Sequence, residues 1–248
     1  MKVNEQDRKA FSYHAFVHSE SRFIFFTIPK VACTSWIQLF LRLEGYKDWA
    51  NDPHHRAGRP FLSDLSCESI ECHFNDTSWT KAVFFRDPAE RLLSAYLDKI
   101  VNGSYITRRQ FNAGAGEISF RQFVEIVTNE NTAAGDPRGL HENTDPHWKP
   151  QHLISNIEKF LPCTNFVGDF ANLQKDSLAL LERVGIWNEF GASGWGSSED
   201  GQMFEKNIAV NKTGAAARLK DFYTDEMLVS VKKAYAKDYD LLAGCELN

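Results

Sequence analysis

Two stretches of the chain are close to continuously apolar: residues 23–28, FIFFTI, and residues 82–85, AVFF. Strands of a parallel sheet read this way because both of their faces are buried. A third strand is expected at 166–167 with its neighbours. Behind the first run the pattern turns helical. Trp36, Leu39, Phe40 and Leu43 stand at i, i+3, i+4 and i+7, which predicts an amphipathic helix over 35–44 with Gly45 as its stop. Behind the second run comes RDPAER. There Asp87 is placed as N-cap, Pro88 as the first helical residue and Glu90 as the capping-box partner. That helix continues through LLSAYLDKIV to about Gly103. Three more helices are expected. One is SFRQFVEIVT, opened by Ser119 and Gln122 at capping-box spacing. One is LQKDSLALLERVG, closed by Gly185. The last is a single helix over TDEMLVSVKKAYAKDYDLL with Thr224 as its cap. Segments 102–116 and 191–201 are rich in turn formers and read as loops. A strand followed by a helix, twice over, is the βα unit of an α/β fold, and no internal repeat interrupts it.

A chain of 248 residues suits one large α/β domain or two small ones; a single domain over 1–248 is the expectation. The formal net charge of −5 weighs against nucleic acid or another polyanion as partner, though a local basic pocket stays possible. The five cysteines form no pair of CxxC units, so no zinc site is expected. Cys67 and Cys72 could pair, but a reduced state is the simpler reading. The N-terminal MKVNEQDRKAFSYH lacks the apolar core of a signal peptide, and no run reaches the length of a membrane span. For a full-length chain this implies the cytoplasm; a trimmed one leaves the compartment open.

The first candidate chemistry lies in PKVACTSW, between the first strand and its helix. The first turn of a helix presents unpaired N–H groups at the positive end of its dipole, so an anion fits there. Lys30 adds a charge. Ala32, Cys33, Thr34 and Ser35 are small enough for close backbone approach, and Thr34 and Ser35 bring hydroxyls. The nucleotide-triphosphate loop GxxxxGK[ST] is absent. Small side chains can stand in for its glycines if the backbone need not wrap a triphosphate. The second candidate is Arg86 at the end of the second strand, with Ser94 eight positions later, about two helical turns on. Ligands of open α/β sheets bind beyond the carboxyl ends of strands, where an arginine can fork onto an anionic oxygen. Glu90 and Arg91 are assigned to solvated or packing faces.

PKVACTSW and RDPAERLLSAY together resemble the two donor-binding motifs of the sulfotransferases that use 3′-phosphoadenosine 5′-phosphosulfate (PAPS). The branch most similar is the carbohydrate type, with chondroitin and dermatan 4-O-sulfotransferases and the HNK-1 sulfotransferase. The later HWKPQHLI and PCTNFVGDFANLQKD resemble that branch as well, and NKTG near Asn211 does so more weakly. The resemblance implies a P-loop-like three-layer sandwich, a central parallel sheet flanked by helices. It implies in-line transfer from PAPS, leaving adenosine 3′,5′-bisphosphate (PAP), with no metal required. It casts Lys30 as stabiliser of the leaving 5′-phosphate. Ala32, Cys33, Thr34, Ser35 and Trp36 then surround that phosphate, and Arg86 and Ser94 hold the 3′-phosphate, with Lys212 as a further candidate. An acceptor hydroxyl needs a general base, and histidine suits neutral pH. His54 and His55 stand in one loop, and the candidates taken forward are His55, His73 and His147, with Glu68 and Glu71 behind them. Trp148 could pack on a sugar or on adenine. Members of the branch are usually Golgi membrane proteins; the short acidic chain without an anchor favours a small soluble acceptor over a polymeric glycan. Two other readings stay open: a P-loop-like small-molecule kinase, and a non-catalytic nucleotide-binding module that would not need Lys30. Oligomeric state is not readable.

Overall fold

A computed structural model describes residues 1–103, 118–130, 136, 138–140, 144–196, 200–205 and 214–245. In chain order its main elements are α1 (Glu5–Ala10), β1 (Ala15–His18), β2 (Phe23–Phe26), α2 (Cys33–Leu43), α3 (Cys67–Asn75), β3 (Thr80–Phe85) and α4 (Pro88–Ala95). Then come α5 (Phe120–Val127), β4 (Phe166–Asp169), α6 (Leu173–Val184), α7 (Ala215–Phe222), α8 (Asp225–Ala234) and α9 (Ala236–Cys245). The chain divides into two compact units. The first holds Met1–Phe85 and Ile154–Val210, the second Arg86–Leu153 and Asn211–Asn248.

The first unit carries the sheet, in the order β1-β2-β3-β4. The three apolar strands pair in parallel, with Phe23 opposite Thr80 and Ala82 opposite Phe166. β1 joins antiparallel at one edge, with Phe16 opposite Phe25, so the sheet is mostly rather than wholly parallel. Side chains alternate across a strand, and both faces of β2 are covered. Phe25 stacks on Trp36 of α2, centroids 4.2 Å apart, and Phe23 stacks on Phe40. On the other face Phe26 meets Phe11 and Phe74. Gly168 of β4 lies opposite Phe84, whose ring would stand 2.4 Å from any added Cβ, so this strand position admits only glycine without a shift. Helix α2 begins two residues before the expected start and ends as expected. Gly45 takes φ +76°, with Tyr46 N–H donating to Leu41 O and Gly45 N–H to Arg42 O, a Schellman close. Helix α6 ends on Gly185 at φ +80°.

The second unit is helical. Leu92, Leu93 and Leu97 pack with Phe120, Phe123 and Val127 of α5, with Trp148, and with Met227, Val231 and Tyr235. Asp87 caps α4 by accepting from Glu90 N–H, with the Glu90 carboxylate turned to Arg86, and Ser119 and Gln122 make a full capping box. Helix α4 runs on as a π-turn over Tyr96–Val101. The last expected helix is two. It breaks at Tyr235, where φ is −113° and ψ +25°; this tyrosine is buried and donates its hydroxyl to Trp148 O at 2.5 Å.

Candidate active site

In the first unit β2 leads through Thr27 and Ile28 into the glycine-free turn. Thr27 is pinned by its N–H to His14 O at 2.7 Å, and Val31 N–H closes on Ile28 O at 3.0 Å. Lys30 and Ala32 both sit in the left-handed region, at φ +69° and +54°. Side chains other than glycine pay about 1–2 kcal/mol for that conformation. The turn therefore uses the backbone shape that glycine favours, without glycine. Ala32 is the N-cap of α2 and has no side-chain oxygen to cap it. The first intrahelical bond is Trp36 N–H to Ala32 O, 3.2 Å, so the amides of Cys33, Thr34 and Ser35 come before it. Trp36, grouped with them in the sequence, has its amide in that bond and its ring in the core between Phe25 and Phe84.

The loop after α2 brings a histidine back to this turn, and it is His54. Its Nε2 lies 2.9 Å from Thr34 Oγ1. The loop is held in place from several sides. Gln38 Nε2 donates to Ala50 O, Arg56 pairs with Asp48 at 2.5 Å over the Tyr46 ring, and Arg59 Nη1 donates to His54 O at 2.5 Å. His55 is exposed and pairs with Asp52 at 2.8 Å. His73 stacks on Trp79 at 3.8 Å, just before the first residue of β3, at the opposite end of that strand from the carboxyl ends. Glu68 and Glu71 lie on α3 with it, and Glu71 pairs with Lys2. Burial lowers the His73 pKa, with Asp76 opposing. No sequence signal separated His54 from its neighbour; only the fold of the loop does.

In the second unit Arg86 directly follows β3. Its residue is 7% exposed, and its Nε lies 3.4 Å from Glu90 Oε2. Burial pushes the guanidinium below its usual pKa, and the Glu90 carboxylate opposes that shift. Ser94 is buried on α4. Gln151, fully buried, grips the Arg86 backbone at both groups: Arg86 N–H donates to Oε1 at 3.0 Å and Nε2 donates to Arg86 O at 2.8 Å. Arg91 is not on a solvated face. It is 1% exposed and donates to Lys149 O and Pro146 O, a packing role. His147 Nδ1 lies 2.7 Å from Asp145 Oδ1. Burial raises the Asp145 pKa, but the His147 bond outweighs it and the carboxyl sits below its ordinary value. Trp148 is fully buried against Phe123, so it is a core residue and offers no ring to a ligand. Lys212 lies outside the described residues. Among those described, no group of three or more His, Cys, Asp or Glu could hold a metal, and Cys33, Cys67, Cys72 and Cys163 are free thiols.

A profile of the sulfotransferase family matches residues 13–243. The chain belongs to the sulfotransferase family. Carbohydrate sulfotransferase 14 of Danio rerio is 31% identical over 199 residues, covering 72% of this chain and 50% of the relative. The Homo sapiens protein of that name is 31% identical over 197 residues, covering 71% and 48%. Carbohydrate sulfotransferase 11 of Mus musculus is 28% identical over 200 residues, covering 70% and 53%. This sulfotransferase-family chain thus spans about half the length of the curated relatives it matches. No solved structure matches it at a significant level. The α/β sheet flanked by helices agrees with the fold expected for the family. These matches lend no support to a cytoplasmic location. No helix among the described residues is long and apolar enough to cross a membrane.

Proposed function

We propose that this chain transfers a sulfuryl group in line from PAPS to a hydroxyl or amine of a carbohydrate acceptor, as one sulfotransferase domain over 1–248. The family match across 13–243 supports the single domain, and the names of the relatives support a carbohydrate over the small soluble acceptor expected from length and charge. A carbohydrate acceptor in turn favours the Golgi-lumen alternative over the cytoplasm. The observation that carries the reading is the turn after β2. It gathers a lysine in a strained backbone, a helix start without a side-chain cap, and a hydroxyl–imidazole pair within one short stretch.

The residues present suit the donor's two anionic ends. When bound, PAPS supplies an activated sulfuryl group on a 5′-phosphate able to leave. The amides of Cys33, Thr34 and Ser35, with the Thr34 and Ser35 hydroxyls, hold that 5′-phosphate at the positive end of α2. Lys30 stabilises the charge released onto phosphate oxygen as the old sulfur–oxygen bond breaks. Arg86 and Ser94 take the 3′-phosphate, with Lys212 as a further ligand. His54, rather than His55, His73 or His147, accepts the proton that the acceptor oxygen gives up as it bonds to sulfur.

Two measurements test this. Thermal shift compares PAP with ATP and Mg²⁺, since a ligand of the native state raises apparent stability. Incubation with labelled PAPS and a panel of oligosaccharides, followed by mass analysis, detects added sulfate. Stabilisation by PAP alone and a sulfated oligosaccharide are expected. Stabilisation by ATP and Mg²⁺ but not PAP would sink the reading.

A further inference from the structure

The second unit contains a buried polar chain that ends on Arg86. It begins at Asp238 on α9, a carboxylate with no solvent exposure. Asp238 Oδ2 accepts from Gln151 N–H at 2.7 Å. Its Oδ1 accepts from His152 N–H at 3.1 Å and lies 2.6 Å from His152 Nδ1. The Gln151 side chain then bonds both the N–H and the carbonyl of Arg86. These are residues 65 and 87 positions apart in sequence, joined by buried hydrogen bonds only.

The arrangement is more than polar satisfaction. Arg86 follows the last residue of β3, where the ladder can no longer fix its backbone. A side-chain amide is a peptide mimic, with N–H donors and a carbonyl acceptor in one fixed plane. Bonding both backbone groups of one residue, it sets that residue's position and the direction in which its side chain leaves. Asp238 in turn anchors the backbone that the amide leaves from, by accepting from the N–H groups of Gln151 and His152. Burial removes water as a competitor, so each bond is strong and each omission costly.

We infer that Gln151, backed by Asp238, is a positioning residue for 3′-phosphate recognition: it aims the Arg86 guanidinium without touching the ligand. This rests on the reading that Arg86 binds the 3′-phosphate of PAPS. The test compares PAP with adenosine 5′-monophosphate, which lacks only that phosphate, by calorimetric titration. Wild type is expected to prefer PAP strongly; if it binds both equally, the underlying reading fails rather than this inference. In Gln151→Met, similar in length but without hydrogen bonds, PAP affinity is expected to fall ~10-fold or more while the monophosphate stays within about twofold. A purely structural role would weaken both ligands alike. Equal weakening, or unchanged preference in the folded variant, overturns the inference. Should Gln151→Met fail to fold, Gln151→Glu is read with the same two ligands. It still accepts from Arg86 N–H but sets an oxygen against Arg86 O, and it too must lose preference for PAP or the inference falls.

Discussion

Replacing Arg86 by methionine should move stability and ligand response in opposite directions. Arg86 is 7% exposed, and burial pushes the pKa of its guanidinium down, so the charged form is disfavoured where it stands. Its partner Glu90 keeps a side-chain exposure of 24%, so water can solvate that carboxylate once the arginine is gone. Removing one partner of a fully buried ion pair costs several kcal/mol through the charge left unsolvated. Exchanging a whole buried pair for apolar side chains is often neutral or stabilising by ~1–4 kcal/mol. With Glu90 reached by water, the exchange of Arg86 is expected to lie near the second case. The unliganded variant is therefore expected to melt at the wild-type temperature or above. The ligand response should collapse. A pair of charge-assisted bonds from a guanidinium to phosphate is worth about 3 kcal/mol, or ~150-fold in Kd. At a PAP concentration 100 times the wild-type Kd, linkage stabilises wild type by about 2.7 kcal/mol. For a chain of this size that is a shift of roughly 5–10 °C. With Kd ~150-fold weaker, the same concentration gives about 0.3 kcal/mol, a shift of ~1 °C or less. Differential scanning fluorimetry across a PAP titration reads both quantities at once. A variant that melts lower than wild type yet keeps the full PAP shift would refute the reasoning, because Arg86 would then be a structural ion.

Lys30→Ala removes the charge proposed to act on the leaving phosphate, so kcat should drop ~10²–10³-fold while PAP affinity changes far less; equal losses in both would reassign Lys30 to ground-state binding. His54→Ala should lower kcat by ~10²-fold or more, and His55→Ala should stay within about twofold, in the same labelled-PAPS assay; the reverse order would move the base by one residue. Lys159 lies 2.5 Å from the buried Asp7 carboxylate of α1. Burial raises the Asp7 pKa, but the Lys159 bond and the Asn4 cap outweigh it, and the folded value is depressed. That stability is fully present above the unfolded value near ~3.9 and is lost as pH falls through the folded one. Lys159→Met should thus lose about 1–2 kcal/mol at pH 7, less than for a fully buried pair because the lysine is partly exposed, and the deficit should shrink toward pH 3. Urea unfolding at several pH values checks it, and a deficit constant down to pH 3 would show that the ion pair is not its source.

The legible parts of the fold are those where one local rule dominates. The apolar runs located β2, β3 and β4, and cap chemistry located the starts of α4, α5 and α8. β1 was missed because its four residues, AFVH, sit in a polar N-terminal segment and become a strand only by pairing with β2. The break at Tyr235 was missed because the helical period runs straight through it, while the residue itself is held by a bond to Trp148, 87 residues away. For Arg91 the sequence left a solvated and a packing face open, and two distant carbonyls decide for packing. The candidate site divides the same way. Lys30, Arg86 and Ser94 stand out by motif and spacing. His54 and Gln151 do not, since a histidine beside another histidine and a lone glutamine carry no local signal of what they will meet.

The turn after β2 shows where local rules fail for a reason. At φ +69° glycine would be the easier residue at position 30, yet glycine has no charge to place. Lysine there keeps the ammonium and accepts the strain. Ala32 repeats the compromise at the helix start, where a side-chain oxygen would cap the very amides proposed to meet the phosphate. The surroundings over-determine this conformation. Val31 is buried and closed onto Ile28, and Trp36 is wedged beneath between Phe25 and Phe84. Strain held this firmly fixes the backbone from which the lysine reaches, as the proposed role in charge stabilisation requires. On the proposed reading the absence of glycine serves the site: position 30 carries a charge and position 32 leaves the first amides of α2 uncapped by a side chain.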